Sequence, residues 1–359
     1  MRIGILGLPQ VGKTTIFELV ARCGGGPGSG VGKGEAHPVA VKVPDPRLEE
    51  LAALFHPKKV TPAVIEFQDF PPLRKGTGGV NSQLLGQLRT VDVLLEVVRC
   101  FEDPRVPHIE GSLDPRRDIR FVNDELVLSD LELIERRLER IELDWKRGRK
   151  EDKEREFPTL ELCREALAKG QPIRDLDFPA ECRSLLRGYQ LLTAKPLLLL
   201  LNLGEDQWPV RQEFHQCLSG EAGSRHTALM ELCGKLELEI CQLAEGERGD
   251  FMEDAGLGEL GFDRLVRTCY RLLGLISFFT YMGEEVRAWS LPAGSTALKA
   301  AGAIHTDLEK GFIRAEVISF SELQAAGSLA AARKKGWLRL EGKDYLVQDG
   351  DVITIRFHV

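Results

Sequence analysis

The chain lacks any long hydrophobic run, any closely spaced cysteine pair and any excess of positive charge. Its longest apolar stretch lies in PLLLLLNL, residues 196–203, far short of the ~20 residues needed to cross a bilayer. That stretch suits a strand buried on both faces, and a soluble protein with no membrane partner is expected. A formal net charge of −7 offers nucleic acid no overall basic field, although it is compatible with a local patch. The eight cysteines, at 23, 100, 163, 182, 217, 233, 241 and 269, form no CxxC pair. Spacing therefore argues against a zinc ribbon or a redox dithiol. No signal peptide is read, so reduced thiols in the cytoplasm are the expected state. No His, Cys and Asp grouping has the spacing of a catalytic triad or a metal cluster. What is present is bulk: 359 residues, 43% of them hydrophobic, enough for a large core and roughly two or three domains.

The start, MRIGILGLPQVGKTTIFELVARC, reads as strand, glycine-rich turn and helix. VAVKV (39–43) is a short strand, and RLEELAALF has a helical pattern. Further strands end at Asp69, run through VDVLLEVVRCF (91–101) and 196–201, and finish with HTALMELC (226–233). Strands alternating with helices predict an α/β domain with a mainly parallel sheet. Between the fourth and fifth strands, Val127, Leu131, Ile134, Leu138, Ile141 and Trp145 recur at alternating spacings of four and three. That is a heptad seam on a charged helix. Helices over 159–169 and 179–192 return against it, giving a helical-hairpin insertion over 121–194. Its tip carries six basic residues, nearly cancelled by Asp144, Glu151, Asp152, Glu154 and Glu156, as on a solvated helix surface. From 277 to 359, EVRAWSLP, GFIRAEVISF, WLRLEGKDYLV and DVITIRFHV alternate apolar and polar residues between glycine-rich turns. They predict a small mixed-sheet domain.

One motif carries chemistry. Gly7-Leu8-Pro9-Gln10-Val11-Gly12-Lys13-Thr14 matches GxxxxGK[ST] in full, after a strand and opening a helix. The glycines let backbone N–H groups converge on phosphate oxygens. Lys13 would neutralise β/γ charge, and the Thr14 hydroxyl would ligate Mg²⁺. The helix N-terminus adds its dipole. Gly7, Pro9, Gln10, Val11, Gly12, Lys13, Thr14 and Thr15 are thus candidate nucleotide-binding residues. GPGSGVGKGE (26–35) imitates a second cradle, but Pro27 and Gly34 stand where Gly and Ser/Thr are required. It reads as a flexible loop. Asp69 ends an apolar strand and is the candidate second acid for Mg²⁺; the alternative is an Asp that opens a turn before proline. Asn202-Leu203-Gly204-Glu205 follows the buried strand, where GTPases place Asn-Lys-x-Asp. Leu203 removes the stacking lysine stem and Glu205 moves the carboxylate, so guanine selectivity is expected to weaken. Asn202, Leu203 and Glu205, with Cys233 and Gly234 beyond the last strand, are the candidate base-side residues.

These residues together resemble the YchF / Obg-like ATPase family of P-loop proteins. VPDPRLEEL (43–51), VVRCFED (97–103), DPRRDIRFVNDELVLSDLELIERRLERI (114–141) and IHTDLEKGFIRAEV (304–317) extend the likeness over nearly the whole chain. It is interrupted mainly at 24–40 and 68–80. The resemblance implies a TRAFAC-type nucleotide-binding domain over 1–120 and 195–276, the helical insertion, and a C-terminal β-grasp TGS domain. It also implies ATP in preference to GTP, Mg²⁺, and a ribosome or RNA partner. His305 and Asp307 are then structural or surface residues.

Two departures from the family pattern bear on hydrolysis. The family's switch II reads DxxG plus a hydrophobic residue; here Asp69-Phe70-Pro71-Pro72-Leu73 puts Pro72 at the glycine position, with no N–H to donate. A shift of register to Gly76 or Gly78 is the alternative. Switch I, GGGPGSGVGKGEAHP, carries no threonine for the metal. Leu73 keeps the hydrophobic position, and His108 occupies the place of the family's proposed catalytic histidine. His108 is equally readable as an exposed loop histidine beside Pro107. The expectation is a slow or impaired ATPase, with two alternatives: a nucleotide-binding module for ribosome or RNA, or a GTP-specific GTPase.

Overall fold

A computed structural model of the protein describes residues 1–24, 38–74, 82–147, 156–222, 226–244 and 246–358. The first seven strands are β1 (Arg2–Leu6), β2 (Val39–Lys42), β3 (Lys59–Thr61), β4 (Val64–Asp69), β5 (Val93–Arg99), β6 (Leu197–Asn202) and β7 (Thr227–Leu232). Six of them form one sheet in the order β2-β4-β1-β5-β6-β7. Its β4-β1, β1-β5, β5-β6 and β6-β7 pairs are all parallel. Every residue of β5 and β6 is buried, as continuous apolar runs in a sheet covered on both faces demand. The strand expected in 226–233 is β7.

Chain contacts divide the molecule into two compact units, residues 1–40 with 66–265 and residues 41–65 with 266–359. This differs from the sequence boundaries. The short strand β3 pairs in parallel with a later strand of the second unit, Lys59 to Thr61 against Glu285 to Arg287. Segment 41–65 is therefore drawn into that unit. A three-residue strand has too little pattern to be read from sequence.

The helical insertion belongs to the first unit. Asp114 accepts a hydrogen bond from the Arg117 N–H and Pro115 follows at the first position, so the helix Pro115–Lys146 starts on both of its usual signals. The seam residues Val127, Ile134, Leu138 and Ile141 are buried with Leu160, Cys163 and Leu167 of the returning helix Glu156–Ala168. Leu131 and Trp145 pack on the same cluster. Arg137 clasps the Glu156 carboxylate through both oxygens, at 2.7 and 2.9 Å. The tip, 148–155, lies outside the described residues.

In the second unit β8 (Leu275–Met282), β9 (Glu285–Pro292), β10 (Phe312–Ser319), β11 (Arg339–Glu341) and β12 (Asp351–Phe357) join β3 in the order β11-β10-β12-β8-β9-β3. Both antiparallel and parallel pairs occur, β8 with β9 and β12 with β8. Phe278, Leu291, Ala297, Ala301, Val317 and Ile353 form its core.

The cysteine expectation needs correction. Cys23 and Cys241 are joined in a disulfide, and the other six cysteines are free thiols. Cys23 lies near the end of the helix Lys13–Gly24 and Cys241 near the end of the helix Gly234–Gln242. Packing of these helices brings the Cα atoms within 6.3 Å across 218 residues of sequence, a pairing no local spacing reports.

Candidate nucleotide site

The cradle is built where β1 gives way to the helix Lys13–Gly24. The turn needs backbone angles that side chains resist. Gly7 has φ +150°, and an added Cβ would lie 2.6 Å from the Val97 carbonyl oxygen; Gly12 has φ +90°, and a Cβ there would collide with the Asn202 amide. Gln10 also adopts a positive φ of 62°. No acidic residue stands in the first turn of the following helix, which leaves its N-terminal dipole free to favour an anion. Thr14 is exposed and Lys13 is buried.

Lys13 is already paired. Its ammonium donates to the Asp69 carboxylate at 2.8 Å and also to the Phe70 carbonyl. The structure thus brings two of the sequence candidates into direct contact. Asp69 does more than open a turn. It is the last residue of β4, in register with Ile5 of β1. The Thr14 hydroxyl and the Asp69 carboxylate are hard oxygen donors. They suit an ion that keeps several waters and takes further ligands from phosphate.

The segment after Asp69 closes on the cradle by its backbone. The Phe70 N–H donates to the Ile5 carbonyl at 3.1 Å, and the Leu73 N–H donates to the Gly7 carbonyl at 3.0 Å. Pro71 and Pro72 have no N–H. All N–H groups of residues 70–73 are therefore spent on β1 and its turn. The Leu73 side chain is fully buried. Gly76, Gly78 and the loop 25–37, including the imitation cradle, lie outside the described residues.

On the base side, Asn202 works as a clamp. Its amide nitrogen donates to the Val11 carbonyl at 2.9 Å and its amide oxygen accepts the Gly234 N–H at 3.2 Å. The end of β6, the cradle and the helix Gly234–Gln242 are tied together by this one side chain. Gly234 has no room for a Cβ, which would lie 2.6 Å from Ile16. Leu203 and Cys233 are buried, and burial pushes the Cys233 thiol up to about 11. Glu205 is half exposed and pairs with Lys235 at 3.0 Å.

His108 departs from one of its two sequence readings. Its side chain is only 5% exposed, so it is not an exposed loop residue. Nε2 lies 2.9 Å from the Asp118 carboxylate, while Nδ1 accepts the Glu110 N–H at 3.1 Å. The acceptor role of Nδ1 places the proton on Nε2, which donates to Asp118. Both ring nitrogens are occupied, and neither is offered to a water.

One residue of the site carried no signal of its own. Arg99, buried at the end of β5, donates to the carbonyls of Phe101 at 3.1 Å, Gln10 at 3.4 Å and Val106 at 2.7 Å. It fastens the cradle to the loop that holds His108. Burial lowers the affinity of its guanidinium for a proton, opposed by Asp103 and Asp118.

Comparison with known proteins agrees with this architecture. The family model YchF-GTPase_C, described as "Protein of unknown function (DUF933)", matches residues 275–358. The chain is 38% identical to the ribosome-binding ATPase YchF of Bacillus subtilis, with 99% of each chain covered. It is 36% identical to the protein of that name from Mycoplasma genitalium, again covering 99% of both. The solved structure of the Schizosaccharomyces pombe YchF GTPase superposes with a TM-score of 0.87 at 28% identity, covering 99% of this chain and 97% of that one. With identity spread from end to end and the same course of the backbone, the chain belongs to the YchF family.

Proposed function

We propose that the protein binds a purine nucleoside triphosphate with Mg²⁺, ATP ahead of GTP, and hydrolyses it slowly. Its place of action would be the ribosome, which the names of its bacterial relatives say they bind, and so the cytoplasm. The observation that carries this reading is the Lys13–Asp69 pair inside a complete cradle. An ammonium and a carboxylate held together there are the two groups that triphosphate and metal would separate. Lys13 would exchange the Asp69 oxygen for phosphate oxygens, and Asp69 would be released toward the metal shell. Thr14 and Asp69 would hold Mg²⁺ there, and the ion would supply neutralisation of phosphate charge. Asn202 would keep the cradle registered against Gly234 throughout.

Slow turnover follows from the segment after Asp69. Neither remaining N–H of residues 70–73 is free to meet a γ-phosphate, and loss of one preorganised donor costs ~10²–10³ in rate. On this reading His108 braces the loop after β5, since its ring is held between Asp118 and Glu110. The helical insertion and the C-terminal domain would then present the ribosome-facing surfaces. The same spent donors favour a second reading, in which nucleotide binds without cycling and serves the arm as a structural part.

Equilibrium binding of ATP, GTP and ADP, with and without Mg²⁺, tests this for wild type and Lys13→Ala. ATP is expected to bind best, with Mg²⁺, and to be weakened by the substitution. Binding that ignores both Mg²⁺ and Lys13 would refute the site. Co-sedimentation with ribosomes tests the partner, and failure in every nucleotide state would refute that part alone.

A further inference from the structure

The first unit also holds a cavity of about 330 Å³ that none of the cradle residues lines. Leu197 and Thr227, the first residues of β6 and β7, line it, and it reaches up the sheet to the level of Leu6, which is in register with Glu96. Two buried ionisable side chains of opposite sign also line it: Glu96 of β5, 2% exposed, and Arg174, 6% exposed. They do not pair with each other. Arg174 donates only to uncharged oxygens, the carbonyls of Thr193 and Lys195 at 3.3 Å each and the Asn123 amide at 3.4 Å. Glu96 receives no hydrogen bond from any described residue. Arg120 and Asp175 stand on the more exposed part of the lining.

Buried charged groups are normally paired, because each alone costs much of its hydration. Here the chain holds a carboxyl and a guanidinium on one cavity wall, close enough to feel each other's charge, yet joins neither in a hydrogen-bonded ion pair. We propose that this cavity is a binding site for a small zwitterion of the amino-acid class, its ammonium on Glu96 and its carboxylate on Arg174. A lone amine would meet Arg174 unscreened, and a lone carboxylate would meet Glu96. Only a ligand with both ends satisfies both walls. Its volume suits such a molecule, at the low end for small-ligand sites. Arg120 and Asp175 repeat the same two signs toward the surface.

Proton balance gives the proposal a signature. Burial raises the Glu96 carboxyl well above the usual carboxylate range; Arg174 pulls it down and Asp118 pushes it up. An arriving ammonium is a further positive charge beside the carboxyl and pulls it down again. Binding is therefore coupled to release of whatever proton the carboxyl carries.

The test is calorimetric titration of the full chain with individual L-amino acids, in two buffers of different ionisation enthalpy. Ethylamine and acetate serve as one-ended controls. The expected result is saturable binding of one or more amino acids, with proton release. Glu96→Gln, which keeps the shape and cannot ionise, should weaken it roughly tenfold or more. Asp175→Asn, at an exposed position, should weaken it less and guards against a folding defect in the first variant. ATP binding should be unchanged in both. Absence of binding at millimolar amino acid would overturn the proposal and leave a water-filled cavity. Equal affinity for ethylamine or acetate alone would overturn the two-ended recognition.

Discussion

Lys13 stands between two segments that use their backbone in opposite ways. Residues 7–12 bend through glycines whose positive φ angles and bare α-carbons leave the turn open to a ligand. Residues 70–73 contain two prolines, and their two N–H groups are both bonded to the protein itself. The first segment keeps its turn clear of side chains; the second has its donors bonded within the protein. The difference teaches that binding and sensing are separate requirements on a P-loop protein. Binding draws on many convergent groups at the cradle. On the proposed reading, sensing a γ-phosphate rests on one N–H, which a proline at that position cannot supply.

Four substitutions or conditions would sharpen or break that contrast. The largest effect is expected from Pro72→Gly, which restores an N–H and frees φ at the family's glycine position. Single-turnover ATP hydrolysis should rise by ~10²–10³-fold; an unchanged rate would mean that another donor already does the work. Next comes a pH effect on the frame behind the cradle. Burial pushes the Glu237 carboxyl up to about 7 from its ordinary 4.5, while the N–H groups of Phe262 and Gly261 oppose the rise. The folded protein then holds more protons than the unfolded chain between those values, so this group's contribution falls as pH rises through the window and is flat beyond it. Denaturant unfolding should show Glu237→Gln gaining on wild type from pH 4.5 to 7, by at most about 3 kcal/mol. A difference independent of pH would assign Glu237 another state.

Asp69→Asn should come third. It leaves Lys13 an acceptor but removes the charge meant for the metal, so the gain in ATP affinity from Mg²⁺ should shrink by about tenfold. A gain equal to that of wild type would return Asp69 to a mere turn former. The smallest effect belongs to Arg99→Met, which releases the Gln10 carbonyl from its tether. Loss of about 1 kcal/mol or less in ATP affinity is expected, since only one of the three hydrogen bonds of Arg99, at 3.4 Å, reaches the cradle.

Much of this was legible in the sequence, and the exceptions share a cause. GxxxxGKT, the heptad seam from Val127 to Trp145 and the continuous apolar strand at 196–201 each report local geometry, and each appears in place. The β3 pairing, the Cys23–Cys241 disulfide and the three-way tether of Arg99 join residues far apart in the chain. No local periodicity encodes them. His108 shows a subtler limit. A histidine ten residues before an aspartate has no characteristic spacing, yet a turn and the first coil of a helix close the two into one hydrogen bond. Asn202 is read from sequence as a base-side residue; its side-chain contacts to Val11 and Gly234 tie the cradle to the helix Gly234–Gln242, and no local pattern announces them.

The central claim is that residues 70–73 have no donor left for a γ-phosphate, and nucleotide affinity reads this directly. The most direct measurement compares the Mg²⁺-dependent Kd of ADP with that of a non-hydrolysable ATP analogue, in wild type and Pro72→Gly. The account predicts that wild type gains little from the third phosphate beyond what Lys13 provides, and that the glycine variant gains roughly tenfold or more. A wild-type protein that already prefers the analogue as strongly as the variant would contradict it.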